Sequence, residues 1–558
     1  MIVCPEPLAA RAGADIFAAG GNAIDAAVAA AFAQGVSNPL LCGIGGTGLL
    51  YYYDSATRQT VAMNGEVSIG SRPVPASWRD DFLGRAETIG RYILRGEANQ
   101  IGHQSIMTPG FVKVCWDASR RFGSGNLSWS DLLQPAIELA RDGFDVYPYI
   151  AAFWLPGVAS DAHDSRPGYP ALSLKLNYSD ETRSIYLNPD GSPFSSGDRL
   201  QLAAYASTLQ QLADAGGDDF YSGDIAREAT ADFDAHDALV SGDDLRKYAV
   251  IDQSVLRSDY RGHEITSPGP PSSGTQTIEM LNILSHFDLA GLGHNSVEYV
   301  DLLARVQRAS FSDNVTLKGM DFDEGQRFAR RVAGADRAAY WAGRIQRGDR
   351  LAVRGGAVDP GTTHVTVVDT DRNVVAFSHS IGSLAGSGVV TPGLGFLWNN
   401  FLGHFNPHAG HPDSIVPGKR LGGLLPVIVF RDGEPYIGAG APGGSRIITA
   451  VTQSLVNVID HGMSMQEAVT ALRFHSEEEQ LVFVEPGFSD AAIDGLGRLG
   501  NDARRSTYMS RVQAIRIAGD GSLEAGADPR GGGGVGRFPV GRPAPEPHGQ
   551  DGEGGRQA

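Results

Sequence analysis

The chain has 558 residues, 42% hydrophobic and 20% charged, with 64 acidic side chains against 46 basic ones and a formal net charge of −18. That acidity argues against nucleic acid or an anionic membrane as a partner, since both repel a negative surface. The length fits two to four domains or one large enzyme, and three scattered cysteines, Cys4, Cys42 and Cys115, show neither a disulfide framework nor metal-ligand spacing and point to a reducing compartment.

The N-terminus, Met1-Ile-Val-Cys-Pro-Glu-Pro7, lacks a basic stretch followed by an apolar one. No export signal is visible, and a cytoplasmic protein is expected. The longest strongly apolar stretch, 26–33, is too short to span a bilayer. Gly20-Gly-Asn22 opens an Ala-rich helix over 20–34, and the turn Gly43-Ile-Gly-Gly-Thr-Gly48 feeds a strand over 49–53. Leu132, Leu133, Ala136, Ile137 and Ala140 recur at helical spacing, with Pro135 expected to bend that element. The loop Ser267-Pro-Gly-Pro-Pro-Ser-Ser-Gly274 precedes an amphipathic helix over 278–287, and 354–361 reads as a processing linker.

Downstream, 363–369 and 374–380 flank the turn signal Thr370-Asp-Arg-Asn373. A hairpin centred there pairs 369 with 373 and places 362 opposite 380. Directly opposed Cβ atoms lie about 4.5–5.5 Å apart, so Ser380 is expected to hydrogen-bond the Thr362 hydroxyl. Thr362, His364 and Thr366 share one face, expected to line a site, and Val365 and Val367 share the other, expected in the core. Ala441-Pro-Gly-Gly-Ser-Arg446 then opens a helix near Ile447, with two glycines whose N–H groups are free to meet an oxyanion. From 531 to 558, 14 of 28 residues are Gly or Pro, and this tail is expected to be disordered.

The chemistry concentrates at Gly361-Thr-Thr-His364. Cutting the Gly361–Thr362 bond gives Thr362 a free α-amine beside its own hydroxyl, nucleophile and base on one residue. Taken alone, the motif reads first as a threonine on a surface strand. His364 and His379 read first as structural hydrogen-bonding groups, and the scattered His and Asp residues imply no metal and no cofactor.

The ordered segments around this motif resemble the γ-glutamyltranspeptidase family of N-terminal-nucleophile hydrolases. They are Gly20-Gly-Asn-Ala-Ile-Asp-Ala-Ala-Val28, the 43–48 turn, Thr108-Pro-Gly110, Gln134-Pro-Ala136 with 139–144, Asp259-Tyr-Arg-Gly262, Pro270-Pro-Ser-Ser-Gly274, 361–369, 442–447 and Ala527-Asp-Pro-Arg530. The resemblance implies an α/β fold of four αββα layers and autocatalytic cleavage. The products would be a large subunit (1–361), carrying the helical periphery and part of the sandwich, and a small catalytic subunit (362–530) with the tail 531–558. It also implies Thr362 as nucleophile, Ser380 as the assisting hydroxyl, and Gly443 and Gly444 as the oxyanion pair.

The positions that read the substrate depart from the family. Gly65 stands where an arginine grips the γ-glutamyl carboxylate, and Gly382 replaces an asparagine. Asn399-Asn400-Phe401-Leu-Gly-His404 replaces a segment whose acids hold the amino group, and Gly422-Gly423 replaces a hydroxyl pair. Hydrogen bonds to charged groups are worth about 1.5–3 kcal/mol each, so losing several should abolish γ-glutamyl recognition. The expectation is an autoprocessing threonine hydrolase acting on another small molecule through an acyl-enzyme, in specialised-metabolite (antibiotic) biosynthesis. Its bond would be an amide, as in an acylase, or a C–C bond, as resemblance to relatives in lincosamide, pyrrolobenzodiazepine and hormaomycin-type alkylproline pathways implies. A true γ-glutamyl enzyme using Arg420 or Lys419, and a non-catalytic binding protein on the same fold, are the alternatives.

Overall fold

Asn22 starts the Ala-rich helix by accepting hydrogen bonds from the backbone N–H groups of Ile24 and Asp25, while Asp25 accepts from Asn22 in return. This reciprocal cap fixes the start of the helix, which runs Ala23–Ser37 and is buried along its whole length. Small side chains permit that, because alanine lets neighbouring backbones approach. The computed structural model describes residues 1–86, 91–155, 170–317, 322–349, 361–411 and 413–537.

In chain order, the strands of the two main sheets are β1 (Ile2–Cys4), β2 (Thr47–Asp54), β3 (Gln59–Gly65), β4 (Ile251–Gln253), β5 (Val255–Tyr260), β6 (His263–Pro268), β7 (Thr362–Val368), β8 (Val374–Ser380), β9 (Val427–Arg431), β10 (Glu434–Gly440), β11 (Gln513–Ile517), β12 (Leu523–Ala527) and β13 (Gly534–Gly536). The first sheet has the order β13-β1-β7-β8-β2-β3-β4 and the second β12-β11-β10-β9-β6-β5. Helices α1 (Pro7–Ala18), α2 (Ala23–Ser37), α3 (Phe111–Phe122) and α4 (Trp129–Asp142) cover the first sheet, where Val365, Val367 and Phe377 pack against the α2 alanines. Helices α5 (Gly274–Leu284) and α6 (Val297–Leu317), with α7 (Arg446–Ile459), cover the second. Between the sheets lie Val3, Tyr51, Val368, Val374, Ile428 and Ile515. The result is the expected αββα sandwich.

The hairpin register matches the sequence pattern: Thr362 pairs with Ser380 and Val368 with Val374. Asp369 pins its turn by accepting from the N–H groups of Asp371 and Asn373, and it also accepts from Ala23 of α2. Residues 362–368 enter the sheet between β1 and β8. The segments before and after Gly361 therefore share both sheets and are not separate domains. Helix α4 continues through Pro135, and α5 starts four residues before the predicted helix. Residues 354–360 of the linker lie outside the described residues.

Two expectations need correction. The tail is structured at its start, because Gly534–Gly536 pairs with β1. A Cβ on Gly536 would lie 2.3 Å from the Ala10 carbonyl oxygen of α1, so glycine here permits close packing; residues 538–558 lie outside the described residues. The second concerns the polar face of β7. His364 and Thr366 do not line the site but are sealed between the sheets, where the His364 ring meets Ser378 Oγ at 2.7 Å and Thr366 Oγ1 at 3.0 Å.

Burial pushes both His364 and His379 down to about 3. A histidine held neutral in the fold but free to charge when unfolded takes up its proton only in the unfolded chain between pH 6.5 and about 3, so stability falls as pH falls through that window. Each contributes a slope of up to about 1.4 kcal/mol per pH unit. Thermal melts from pH 8 to 4 should show this decline, and His379→Asn should flatten it; a superimposable pH profile for the variant would refute the assignment.

Candidate active site

The register that pairs Thr362 with Ser380 also pairs Ser380 with Thr47 of β2, and Gly48 with Gly65 of β3. Because side chains alternate along a strand, Thr362, Ser380, Thr47 and Glu66 fall on one face in a line across four strands. All four border one cavity of about 490 Å³, which Phe401 and Gly444 also line. That volume suits a small organic molecule.

Sequence reasoning expected the Ser380 hydroxyl to bond the Thr362 hydroxyl. Instead it donates to the Gly361 carbonyl oxygen and accepts from the N–H of Gly382 at 3.0 Å. The opposite strand thus aims its hydroxyl at the carbonyl that precedes Thr362. Gly361 lies against Gly382 so closely that a Cβ would sit 1.7 Å from the Gly382 carbonyl oxygen. Only glycine fits there.

On the opposite face of β7, Thr363 donates to the buried Glu6 carboxylate, which also accepts from Gln34 at 2.6 Å and Asn38 at 2.8 Å. Gln34 in turn meets His379 Nε2 through its Oε1 at 2.9 Å. Burial raises the Glu6 carboxyl despite these donors. This network ties β7 to α2, and sequence reasoning missed it because its members are 28 to 357 residues apart.

The other candidates divide. Gly444, Phe401, His404, Gly422 and Gly423 border the cavity, whereas Gly443, Asn400, Gly382 and Gly65 do not. Asn400 is a structural group that accepts from Ser383 N at 3.0 Å and donates to Gln100 O at 3.0 Å. Both Gly443 and Gly444 have positive φ, 139° and 63°, in the turn before α7. The expectation for Gly65 is corrected: a Cβ there would point at Val114 of α3, 2.7 Å away, and at the Gly110 carbonyl. Glu66 faces the cavity in its place. Strand alternation from Thr47 was the signal that could have found it.

Glu66 is buried, and its Oε2 accepts from Asn64 Nδ2 at 2.8 Å. Burial pushes this carboxyl up to about 8, against the pull of Asn64 and the Arg420 charge. Arg420 lines the cavity but turns its Nη1 to the Asn64 carbonyl at 2.8 Å and to Tyr248 Oη at 3.1 Å, and its Nη2 to the Ala249 carbonyl. Its donors thus serve the protein's own oxygens. Burial lowers Lys419.

Away from the cavity, the fold gathers His103, Asp232 and His236, a group that sequence spacing did not reveal. The two imidazoles stack 4.1 Å apart and meet the same carboxylate at 3.1 and 3.0 Å. One ligand atom from each of the three residues lies within 4.8 Å of the other two.

A threonine at the head of a central strand, in two facing sheets covered by helices, matches the architecture of the N-terminal-nucleophile hydrolases. The model of the family described as Gamma-glutamyltranspeptidase matches residues 9–538. The chain is 35% identical to the Acylase ACY 1 proenzyme of Pseudomonas sp. (strain V22), over 94% of this chain and 91% of that protein. It is 31% identical to the Glutathione hydrolase proenzyme of Escherichia coli (strain K12), over 95% and 90% respectively. The crystal structure of cephalosporin acylase from Bacillus halodurans superimposes with a TM-score of 0.80 at 26% identity, covering 95% of this chain and 94% of that one. The chain belongs to the γ-glutamyltranspeptidase family and is an enzyme. Among the described residues, no helix is long and apolar enough to cross a membrane.

The Gly422 backbone passes so near Pro271 that a Cβ would lie 1.8 Å from its carbonyl oxygen. Gly422→Ser should therefore destabilise the protein by about 1–3 kcal/mol and bring no γ-glutamyl hydrolysis. An unchanged thermal melt for this variant would contradict the packing described.

Proposed function

We propose that this chain is an autoprocessing threonine hydrolase that cleaves an amide of a small, non-γ-glutamyl compound through an acyl-enzyme. The observation that carries the reading is the Ser380 hydroxyl on the Gly361 carbonyl, beside Thr362 and at the edge of the cavity. The proenzyme names of the acylase and glutathione hydrolase relatives support it.

In this reading the Thr362 hydroxyl attacks the Gly361 carbonyl carbon, and Ser380 stabilises charge on that oxygen. The C–N bond of the scissile peptide breaks as the acyl group moves to the Thr362 oxygen. That shift frees the Thr362 amine, and water then opens the ester, leaving a carboxylate on Gly361 and the restored Thr362 hydroxyl. That amine draws the proton from its own hydroxyl as the oxygen attacks substrate, directly or through a water. The N–H groups of Gly443 and Gly444 receive the oxyanion, an effect worth about 3–4 kcal/mol per donor. The proton passes to the leaving amine, and water releases the acid. The partners are thus the two segments of one precursor, 1–361 and 362–558, and a small-molecule substrate, in a cytoplasmic setting.

The non-γ-glutamyl assignment is supported by Phe401 and the bare Gly422 backbone at the cavity, and by Arg420 being engaged with carbonyl groups. The acylase reading is preferred because an acylase proenzyme is among the relatives over nearly the whole chain.

Electrophoresis of the purified wild-type protein should give two bands that together account for 59.0 kDa, and Thr362→Ala should give one. A cut Thr362→Ala chain would refute the nucleophile. Ser380→Ala should slow self-cleavage by about 10²-fold, the cost of losing one oxyanion donor; cleavage at the wild-type rate would remove Ser380 from the mechanism. The mature enzyme should leave γ-glutamyl-p-nitroanilide intact, and rapid turnover of that compound would reinstate the γ-glutamyl reading.

A further inference from the structure

The cluster of His103, Asp232 and His236 lies outside the cavity, and the hydrolytic machinery uses none of its members. His103 opens the short turn His103–Ser105; Asp232 stands in the last turn of the helix Asp224–Ala235, and His236 caps that helix. Residues four apart share a helix face, so Asp232 and His236 stand together, and His103 meets them from 129 positions away. His103 Nε2 lies 3.1 Å from Asp232 Oδ2, and His236 Nδ1 lies 3.0 Å from Asp232 Oδ1. The His103 and Asp232 side chains are 6% and 8% exposed, whereas His236 at 53% opens the cluster to solvent.

Asp232 has no lysine or arginine beside it: among the described residues, its ion-pair partners are the two histidines. Buried charges are paired or coordinate metals. Like charges on two rings stacked 4.1 Å apart would repel, and neutral imidazole is the form that binds a metal. Two imidazoles and a carboxylate are a donor set for a zinc-class cation; calcium and magnesium take oxygen ligands. Ligands about 2.0–2.2 Å from a tetrahedral zinc stand about 3.3–3.6 Å apart, so the two close pairs need to open by only about 0.2–0.6 Å. Metal ligands are also held from behind. Tyr178 Oη meets His103 Nδ1 at 3.1 Å, which leaves Nε2 to face a cation. Thr391 Oγ1 donates to Asp232 Oδ2 at 2.6 Å and accepts from Trp398 Nε1 at 3.0 Å.

The geometry points to a zinc-binding site formed by His103, Asp232 and His236, with water in the fourth position. The cation takes the place of the hydrogen bonds between the rings and the carboxylate. His103 Nε2 turns from donor to ligand, and the ring proton sits on Nδ1 and is donated to Tyr178 Oη. His236, beyond the end of its helix, turns its ring to complete the set. The metal joins the turn at 103–105 to the helix 224–235 and, through Thr391, to Trp398. Trp398 packs on Phe233 of the same helix with ring centroids 4.9 Å apart, and Asn399 donates to the Gly45 and Met107 carbonyls at 2.8 Å. The site thus braces segments from both sides of Gly361, and it is independent of the acyl chemistry at Thr362.

The test uses the full-length, untagged protein, stripped with chelator, dialysed, and titrated calorimetrically with zinc chloride at pH 7.5. One zinc should bind per chain with a Kd below about 10 µM, and zinc at 100 times that Kd should raise Tm by about 2 °C. His236→Ala, at an exposed position, should melt with the wild type in chelator and bind zinc at least about 100-fold more weakly. Asp232→Asn, which keeps an acceptor for Thr391, should lose at least as much. Tyr178→Phe removes only the oxygen behind His103 and should weaken zinc by about tenfold. Magnesium chloride in place of zinc should give no binding heat. Failure of the wild type to bind zinc, wild-type affinity in His236→Ala or Asp232→Asn, or tighter binding of magnesium than of zinc would each overturn the site.

Discussion

The pairing of Thr362 with Ser380 is the constraint on which the site depends. It sets a hydroxyl against the Gly361 carbonyl and, through the next strand, aligns Thr47 and Glu66 on the same face. A one-residue slip would turn each of these side chains toward the helices and bring Thr363 and His379 to the cavity instead. The slip is blocked on both sides. Val365 and Val367 are packed against α2, and Asp369 ties the hairpin turn to the first residue of that helix.

Two buried polar systems brace β7 from opposite faces. Between the sheets, His364 bridges Ser378 and Thr366, and Thr366 donates to the Gln513 carbonyl of β11 at 2.9 Å. Toward the helices, Glu6 joins Thr363 to Gln34 and Asn38. Such networks are costly when incomplete and rigid when satisfied. They hold the end of β7 in place at the edge of the cavity. The Gly361–Gly382 approach serves the same end, since it presses the Gly361 carbonyl onto Ser380.

The cavity combines an apolar wall with a buried carboxyl. At Gly422 the backbone itself occupies the space a side chain would need. At Arg420 a cation is present but engaged with carbonyl oxygens. The Glu66 carboxyl is held by Asn64. All three residues line one cavity with Thr362 and Ser380.

The sequence by itself determined the hairpin, its register and the alanine-rich helix, which follow from local rules: period-two alternation in 362–368, a turn pinned by Asp369, and a cap at Asn22. The four layers were implied by the resemblance of its ordered segments to a known family. It also singled out Thr362, Ser380 and Gly444, because their motifs are contiguous. Which way a side chain points at the end of a strand, and what stands opposite it, depended on contacts between distant segments. Only the tertiary structure put Glu66 rather than Gly65 into the cavity, sealed His364 between the sheets, and turned Ser380 from the Thr362 hydroxyl to the Gly361 carbonyl. Local patterning fixes the face of a strand, while the partner across a cavity is chosen by packing among residues hundreds of positions apart.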